Sequence, residues 1–277
     1  WGIGHDQTMR ERFPRLIHCR VSGFGANGPL GGAPGYDAVA QALGGLMSVN
    51  GTPDTGALRV GVPVVDIATG LSAVIGVLLA VIERQRSGRG QFVEATLYDT
   101  AVSLLHPQSA NWLQSGQTPT LSGNAHSNIV PYDKFPTQTC EVFLGIGNNG
   151  QWKKLCEFLG RPELAEEPRF ATNADRLQHR DALRALLEEH LLKVDGEWLC
   201  QELLAAGIPA GAVRTVPQVL TAPHTLHRDM VVQVEGMSGI GIPVKLSRTP
   251  GRAHSAPPRF GPVSYTHLRA HETLRYL

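Results

Sequence analysis

The sequence has almost no excess of charge. Its 25 lysines and arginines stand against 24 aspartates and glutamates, so the net charge at pH 7 is +1, and only 18% of the 277 residues are charged. A chain that holds nucleic acid through its phosphates needs a basic surface, which this composition does not supply. With 42% hydrophobic residues, the chain can bury a core as one large or two modest domains, and its composition is typical of a soluble enzyme.

Cysteine is scarce, and metal-binding motifs are lacking. The cysteines show neither the paired spacing of a zinc site nor the pattern of a disulfide framework, so we expect reduced thiols in a cytoplasmic protein. His126 has no second ligand at metal-binding spacing, and there is no Gly-x-Ser-x-Gly sequence that would present a serine nucleophile. The sequence therefore predicts no metal site. The four cysteines are Cys19, Cys140, Cys156 and Cys200.

No apolar run is long enough, by itself, to predict a membrane span. A spanning helix needs about 20 consecutive apolar residues. The longest apolar run covers residues 71–82 and contains alanine and glycine. It indicates instead a helix over residues 67–86, capped by Asp66, whose apolar faces are broad enough to be buried nearly all round.

The order of predicted helices and strands indicates an α/β protein of two domains. We expect a large domain over residues 1–116 and, after a linker rich in glycine, serine and asparagine, a small α/β domain over residues 117–216. Residues 217–261 are expected to return to the large domain. The composition changes abruptly at residue 262, and residues 262–277 resemble the translation of a sequencing adapter, so we leave them out of the fold. Because the chain begins at Trp1 and not at methionine, we expect its true start to lie upstream.

Three carboxylates follow loops at predicted helix starts: Asp37, Asp66 and Asp99. Each is suited to cap a helix, because a carboxylate at this position accepts hydrogen bonds from free backbone N–H groups. Asp99 differs in position, since it follows a predicted strand over residues 92–97 and begins an apolar helix that runs to about residue 113. Proteins of the α/β class expose reactive groups at the carboxyl ends of their strands. Asp99 is therefore a candidate nucleophile, in a partly desolvated site, although its local sequence alone favours a cap.

A glycine-rich segment follows another predicted strand, over residues 15–21. It covers residues 22–29 and reads Ser-Gly-Phe-Gly-Ala-Asn-Gly-Pro. Glycines at the carboxyl end of a strand let a ligand approach the backbone closely. The spacing is not that of a dinucleotide-binding fingerprint. A simple turn stays the alternative interpretation.

Several short motifs, taken in order, resemble the class III coenzyme A transferases. This is the CaiB/BaiF group, which includes formyl-CoA, carnitine-CoA and succinyl-CoA:dicarboxylate transferases. The resemblance covers residues 2–261 and depends on the order and spacing of the motifs, not on any one of them. The main motifs are Ser22-Gly23-Phe24-Gly25, Gly35-Tyr36-Asp37-Ala38, Val65-Asp66-Ile67-Ala68, Gly88-Arg89-Gly90-Gln91, Tyr98-Asp99, Gly147-Asn148-Asn149-Gly150 and Pro168-Arg169-Phe170-Ala171.

The resemblance implies a fold and a set of partners. The fold is a Rossmann-like large domain, incomplete at its N-terminus here, joined to the small α/β domain. Two chains are expected to interlock in a homodimer, and residues preceding Trp1 are expected to form much of the pocket for the CoA nucleotide. The implied protein is cytoplasmic and has no permanent cofactor, nucleic-acid partner or membrane association. Its substrates are a CoA thioester and a small carboxylic acid.

The resemblance also implies roles for individual residues. Asp99 is expected to attack the thioester of an acyl-CoA, form an anhydride and then an aspartyl-CoA thioester, and pass the CoA to an acid. A mobile flap is expected to shield the anhydride from water. The residues implied to bind CoA are Ser22, Gly23, Phe24, Gly25 and Tyr36. The flap residues are Gly147, Asn148, Asn149 and Gly150, whose two asparagines depart from an all-glycine flap.

Two other functions stay open. The α-methylacyl-CoA racemases share the fold and the aspartate, but they carry a histidine base where this chain has Tyr36, and tyrosine is a poor base near neutral pH. In a non-catalytic acyl-CoA-binding protein, Asp99 would be only a helix cap. Residues 123–132 are most similar to transferases that exchange succinyl-CoA with small dicarboxylates, which favours that substrate class.

Overall fold

The computed structural model describes residues 8–257, and this part of the chain has a mixed α/β architecture with four small sheets. The sheets are the parallel pair β1–β4, the antiparallel pairs β2–β3 and β8–β9, and the antiparallel sheet β5-β6-β7. The strands are β1 (His18–Ser22), β2 (Gly51–Thr52), β3 (Gly56–Ala57), β4 (Phe92–Thr96), β5 (Tyr132–Pro136), β6 (Glu141–Gly145), β7 (Ala210–Ala212), β8 (Val231–Val234) and β9 (Met237–Ile240). The helices are α1 (Arg10–Arg12), α2 (Asp37–Leu43), α3 (Val64–Ser87), α4 (Leu97–Ser103), α5 (Gln108–Ser115), α6 (Asn149–Phe158), α7 (Asn173–Gln178), α8 (Arg180–Leu191), α9 (Gly196–Ala205), α10 (Val216–Thr221) and α11 (Pro223–His227).

The first part of the molecule is organised around the parallel pair β1–β4. The two strands are paired in register up to Ser22, which lies opposite Thr96. The helix α3 returns the chain from one strand to the other. It packs on β4 so closely that a Cβ on Gly76 would come within 2.7 Å of Val93 Cγ1. Parallel strands joined by a crossover point the same way, so the carboxyl ends of β1 and β4 lie at one edge of the sheet.

The long helix α3 is where the sequence predicts it, but its surroundings are different. It has 24 residues and ends at Gly88, whose φ of 76° closes it in the left-handed region. Within this helix only Val65, Thr69, Ala73 and Ala80 are buried, so the prediction of a helix buried nearly all round is wrong. An apolar pattern shows which faces can be buried, but not what covers them. The apolar face of α3, whose residues are at least half exposed, consists of Ile67, Leu71, Val74, Ile75, Leu78, Leu79 and Ile82.

By length and composition, α3 is also apolar enough to cross a membrane. The run over residues 71–82 is by itself too short for a span, but the complete helix is longer than this run. A single helix of this kind is weak evidence for a span, because the core helix of a soluble protein passes the same test. In this structure α3 contacts β1, β4 and α4. That the protein has no membrane partner stays a prediction.

Asp37 caps a helix other than its own. The sequence predicts Asp37 as the cap of α2 and Asp66 as the cap of α3, but Tyr36 and Pro63 occupy the two cap positions. The Asp37 side chain is buried, and its Oδ2 accepts hydrogen bonds from the N–H groups of Val65 (2.8 Å) and Asp66 (3.2 Å). One carboxylate therefore joins the start of α2 to the start of α3.

Replacing Asp37 by alanine should lower the free energy of unfolding by about 2–3 kcal/mol, because two N–H groups of α3 lose a charged acceptor. The Gln41 amide, which donates to Asp37 Oδ1 at 2.5 Å, loses its acceptor as well. Asp66→Ala is the matched control, since the Asp66 side chain is exposed and accepts no hydrogen bond from a described residue. We expect that control to change stability by less than about 1 kcal/mol. Urea denaturation measures both variants, and equal losses would contradict the capping role.

A larger hydrophobic core forms in the second part of the molecule. The sheet β5-β6-β7 packs against α8 and α9. Leu183, Leu187 and Leu191 of α8 are fully buried, and their spacing of four residues places them on one helix face. Trp152 and Phe170 complete the centre of this core. The sequence predicts strands over residues 129–135 and 140–146 and helices over residues 151–159, 173–178, 180–192 and 196–206 in this part, and the structure confirms them with small shifts in their bounds. The domain boundaries stay predictions.

Two predicted helices are each divided in two. The helix predicted from Asp99 to residue 113 consists of α4 and α5, with a turn at residues 104–107. The sequence also predicts a short helical segment over residues 217–226, which consists of α10 and α11, and the second begins at Pro223. Proline has no backbone N–H group and cannot continue a preceding helix, which accounts for both divisions.

One predicted loop and one predicted strand also differ from the structure. The sequence predicts a polar loop over residues 50–57, and the structure shows that it contains the short pair β2–β3. The sequence also predicts a strand over residues 240–244, which is wrong for four of the five residues: β9, the partner of β8, lies earlier, over Met237–Ile240. The segment that resembles a sequencing adapter, residues 262–277, lies outside the described residues.

Candidate active site

The carboxyl ends of β1 and β4 carry the two predicted site segments. The helix α4 begins directly after Thr96, the last residue of β4. The Thr96 hydroxyl accepts a hydrogen bond from the Asp99 N–H group at 3.0 Å, so Thr96 is the N-cap of α4. Asp99 is the third residue of this helix, and the prediction that Asp99 begins it is wrong. Its N–H group is capped by Thr96, and its own carboxylate is not the cap.

The Asp99 carboxylate is exposed, which differs from the partly desolvated site that the sequence suggests. Its oxygens form no hydrogen bond or ion pair with any residue in the range 8–257. It belongs to the first turn of α4, where the helix dipole favours a negative charge. Both oxygens are therefore available to an electrophile.

The glycine loop that follows β1, called here the β1 loop (residues 22–25), lies against the start of α4. The Tyr98 N–H group donates to the Gly23 carbonyl at 3.0 Å, and the rings of Phe24 and Tyr98 are 5.9 Å apart. Gly25 has a φ of 81°, and its N–H group donates to Ser22 Oγ at 3.1 Å. The structure thus brings the β1 loop and the Asp99 helix together.

Gly35 brings a further segment to the β1 loop. A Cβ on Gly23 would come within 2.8 Å of Gly35 Cα, so the two backbones touch where neither has a side chain. Tyr36 follows directly, and its side chain is 78% exposed. No hydrogen bond links Tyr36 to Asp99 among the residues described. Tyr36 therefore lies near the candidate site with its ring in solvent.

An ion pair beside the β1 loop is not predicted from the sequence. Arg20 and Glu94 are opposite each other in the β1–β4 pair, and Arg20 Nη2 binds Glu94 Oε1. The Arg20 guanidinium also lies 5.1 Å from the centre of the Phe92 ring. A Cβ on Gly25 would lie 3.7 Å from the Glu94 carboxylate, so the pair borders the loop. The sequence gives no signal for it until the pairing of the two distant strands is known.

The predicted flap residues form the start of α6. Asn148 is the N-cap, because its Oδ1 accepts a hydrogen bond from the Gln151 N–H group at 2.9 Å. Gln151 Oε1 in turn accepts from the N–H group of Gly147, the residue before the N-cap, at 2.8 Å. Asn149 and Gly150 are already helical, so the prediction of a loop is wrong for these two. The role of the four residues as a flap stays a prediction.

The structure does not join the two parts of the predicted site. Within the range 8–257, no hydrogen bond or ion pair connects residues 147–150 with Asp99. Nor does that part of the chain contain a group of three or more histidine, cysteine or acidic side chains that could hold a metal ion. The chemistry available at the candidate site is therefore that of a carboxylate beside a glycine loop.

The two buried cysteines do not offer an alternative nucleophile. All four cysteines are free of disulfide bonds. Burial raises the pKa of Cys156 to about 12 and the pKa of Cys200 to about 11. The thiolate is the reactive form, so both thiols are unreactive near neutral pH.

Comparison with known proteins places these features in a family. The model of CoA-transferase family III matches residues 1–262. A succinate–glutarate CoA-transferase of Agrobacterium fabrum is 34% identical over 94% of this chain and 66% of its own length. The human succinyl-CoA:glutarate CoA-transferase is 32% identical over 99% of this chain and 63% of its own length. Among solved structures, a CaiB/BaiF family protein from Brucella suis superposes with a TM-score of 0.82 and 37% identity, over 97% of this chain and 71% of that one.

The two relatives are longer than this chain, which spans 66% and 63% of their lengths. The family match nevertheless extends over nearly the whole chain, and it includes the β1 loop, Tyr36, Asp99 and the start of α6. The shared fold agrees with the mixed α/β architecture described above. This chain therefore belongs to CoA-transferase family III.

Proposed function

We propose that this protein transfers CoA from an acyl-CoA donor to a carboxylic acid, with Asp99 as the nucleophile. One observation carries the proposal: Asp99 has a free, exposed carboxylate in the first turn of α4, beside the β1 loop. The simplest structural role for such a carboxylate is to cap its helix, and Thr96 already does so. Membership of CoA-transferase family III supports the same reaction.

The proposed reaction exchanges bonds without a net change in protons or electrons. An Asp99 oxygen attacks the thioester carbonyl, the C–S bond breaks, and CoA leaves as its thiolate from an acyl-aspartyl anhydride. The thiolate then attacks the aspartyl carbonyl, which releases the donor acid as a carboxylate and leaves an aspartyl-CoA thioester. The acceptor carboxylate attacks this thioester and displaces the CoA thiolate, which leaves a second anhydride between Asp99 and the acceptor. The thiolate then attacks the acceptor carbonyl of this anhydride. The new acyl-CoA leaves, and the Asp99 carboxylate is restored.

The β1 loop is proposed to hold the thioester against Asp99. Its glycines permit a close approach to the backbone, and N–H groups there can stabilise the oxyanion that each attack produces. The start of α6 is proposed to shield the anhydride from water. The CoA-binding residues proposed are Ser22, Gly23, Phe24, Gly25 and Tyr36, and the shielding residues are Gly147, Asn148, Asn149 and Gly150.

We propose succinyl-CoA as the donor and a small dicarboxylic acid as the acceptor. Three relatives are named as transferases that pair succinate or succinyl-CoA with glutarate or mesaconate. A second copy of the chain is the proposed partner, in an interlocked homodimer of a cytoplasmic protein. The exposed apolar face of α3 supports such a partner, and the crossover between β1 and β4 supports a Rossmann-like large domain.

An acceptor screen tests the proposed substrates. The protein is incubated with succinyl-CoA and, separately, glutarate, mesaconate, oxalate or acetate, and the CoA esters are measured by mass spectrometry. We expect glutaryl-CoA to form at least about tenfold faster than acetyl-CoA, because a site built for a second carboxylate discriminates against acids that lack one. Equal rates with acetate would overturn the dicarboxylate assignment.

The racemase alternative makes a different prediction. A branched acyl-CoA incubated with the protein in deuterated water, without an acceptor acid, should gain no deuterium at its α-carbon. Tyr36 stands where the racemases carry their histidine base, and a tyrosine hydroxyl removes this proton poorly near neutral pH. Rapid exchange under these conditions would identify an isomerase.

A further inference from the structure

Arg176 of α7 is completely buried, with 0% of its surface exposed, and it forms no ion pair with any residue in the described range. Its guanidinium donates to three neutral backbone acceptors: Nε to the Val130 carbonyl at 2.6 Å, and Nη1 to the Phe170 carbonyl at 2.8 Å and the Ala171 carbonyl at 3.4 Å. A buried charge without a carboxylate partner is costly, and burial lowers the pKa of Arg176. Such a residue needs an explanation other than charge pairing.

The remaining contacts of Arg176 are with the first turn of α6. Its Nη2 donates to Asn149 Oδ1 at 3.0 Å, and its guanidinium carbon lies 5.4 Å from the centre of the Trp152 ring. Asn149 and Trp152 are three residues apart, so they lie on neighbouring positions of one helix face. Arg176 therefore holds the start of α6 against the backbone segments at Val130 and Phe170.

The turn that Arg176 holds contains all four proposed shielding residues. The bonds between Gly147, Asn148 and Gln151 are internal to the turn, and they fix its shape but not its position. Among the described residues, the bond from Arg176 to Asn149 is the side-chain bond that ties this turn to the rest of the core. The N–H groups of a first helical turn have no intrahelical acceptor, so their direction depends on how the turn is held.

We propose that Arg176 is a positioning residue that fixes the start of α6 through Asn149. The proposal rests on the proposed function in one respect, namely that this turn shields the acyl-Asp99 intermediates. A loosened turn admits water, which hydrolyses the anhydride or the aspartyl-CoA thioester in competition with transfer. The attack by Asp99 itself does not depend on Arg176.

The test begins with Asn149→Ala, because Arg176 is a core residue and its replacement can prevent folding. Asn149 is exposed, and the variant removes the acceptor of one hydrogen bond. We expect amide hydrogen exchange in the first turn of α6 to accelerate about tenfold, and the ratio of acyl-CoA hydrolysis to CoA transfer to rise. Asn149→Asp keeps an oxygen acceptor for Arg176 and should retain the exchange rate of the unaltered protein.

Lys154→Ala is the matched control on the same helix. Lys154 Nζ donates one hydrogen bond to the Ala206 carbonyl at 3.2 Å, away from the first turn. This variant should leave both the exchange of the first turn and the hydrolysis ratio unchanged. Unchanged exchange in Asn149→Ala would overturn the proposal, and faster exchange with an unchanged hydrolysis ratio would overturn its catalytic part. If the unaltered protein transfers no CoA, the proposed function fails, while the exchange measurement still decides the role of Arg176.

Discussion

Asp99→Asn is expected to lower the rate of CoA transfer by about 10⁴-fold or more, the largest effect of any single substitution in this protein. The amide has nearly the shape of the carboxylate but is a far weaker nucleophile, so no anhydride forms, and loss of a covalent nucleophile has effects of this size in other enzymes. The Asp99 side chain accepts no hydrogen bond from a described residue, so its replacement should change stability by less than about 0.5 kcal/mol. The defect is therefore expected in activity alone.

The measurement follows transfer from succinyl-CoA to glutarate, together with trapping of the intermediate. Hydroxylamine added with succinyl-CoA should convert Asp99 to its hydroxamate in the unaltered protein, and peptide mass spectrometry locates the modified residue. Asp66→Asn is the matched control, because this aspartate is also exposed in the first turn of a helix. Full transfer activity in both Asp99→Asn and Asp99→Ala, with no hydroxamate, would overturn the role of Asp99 as the nucleophile. Binding of acyl-CoA without any transfer by the unaltered protein would leave only an acyl-CoA-binding role.

Leu187→Ala should lower the free energy of unfolding by about 2–5 kcal/mol, the largest expected loss of stability. Leu187 is fully buried in α8, where its removal leaves a cavity in the larger core. Leu78→Ala makes the same change in α3, where the leucine is 57% exposed, and should cost less than about 1 kcal/mol in the monomer. Calorimetry on both variants compares the loss in free energy of unfolding at a buried leucine with the loss at an exposed one.

The two leucine variants also test whether the apolar face of α3 is buried in solution. If Leu78→Ala destabilises the protein as much as Leu187→Ala, the face is covered in solution. The loss should then depend on protein concentration if a second copy provides the cover, because association stabilises the folded state by mass action. A small loss that is independent of concentration would count against a homodimer that uses this face.

Local signals account for what the sequence predicts well. The sequence predicts a helix over residues 173–178, and α7 begins at residue 173 because Thr172 and Asp175 form a complete capping box. The helix α8 follows from the spacing of its leucines, which bury one face. Asp99 is a candidate from the sequence because it comes just after a predicted strand, a feature that is also local. Such signals need only a few neighbouring residues.

What the sequence does not predict depends on residues that are distant along the chain. Asp37 looks like the cap of its own helix, while its partners Val65 and Asp66 come nearly thirty positions later. The Arg20–Glu94 ion pair and the contacts of Arg176 with Val130 require the fold before they can be recognised. The exposure of α3 could not be predicted for the same reason, because a hydrophobic pattern does not show which part of the protein packs against the helix.

The parallel pair β1–β4 has a consequence for the order of folding. Arg20 and Glu94, which pair across it, are 74 residues apart in sequence, so a long loop must close before the pair contributes stability. In the larger core, Pro136 pairs with Glu141 in a short hairpin, and the buried leucines of α8 lie within one helix. Contacts between near neighbours form faster than contacts across long loops. The β5–β6 hairpin and α8 are therefore expected to form before the β1–β4 pair, and the edge that carries Asp99 is expected to be completed late.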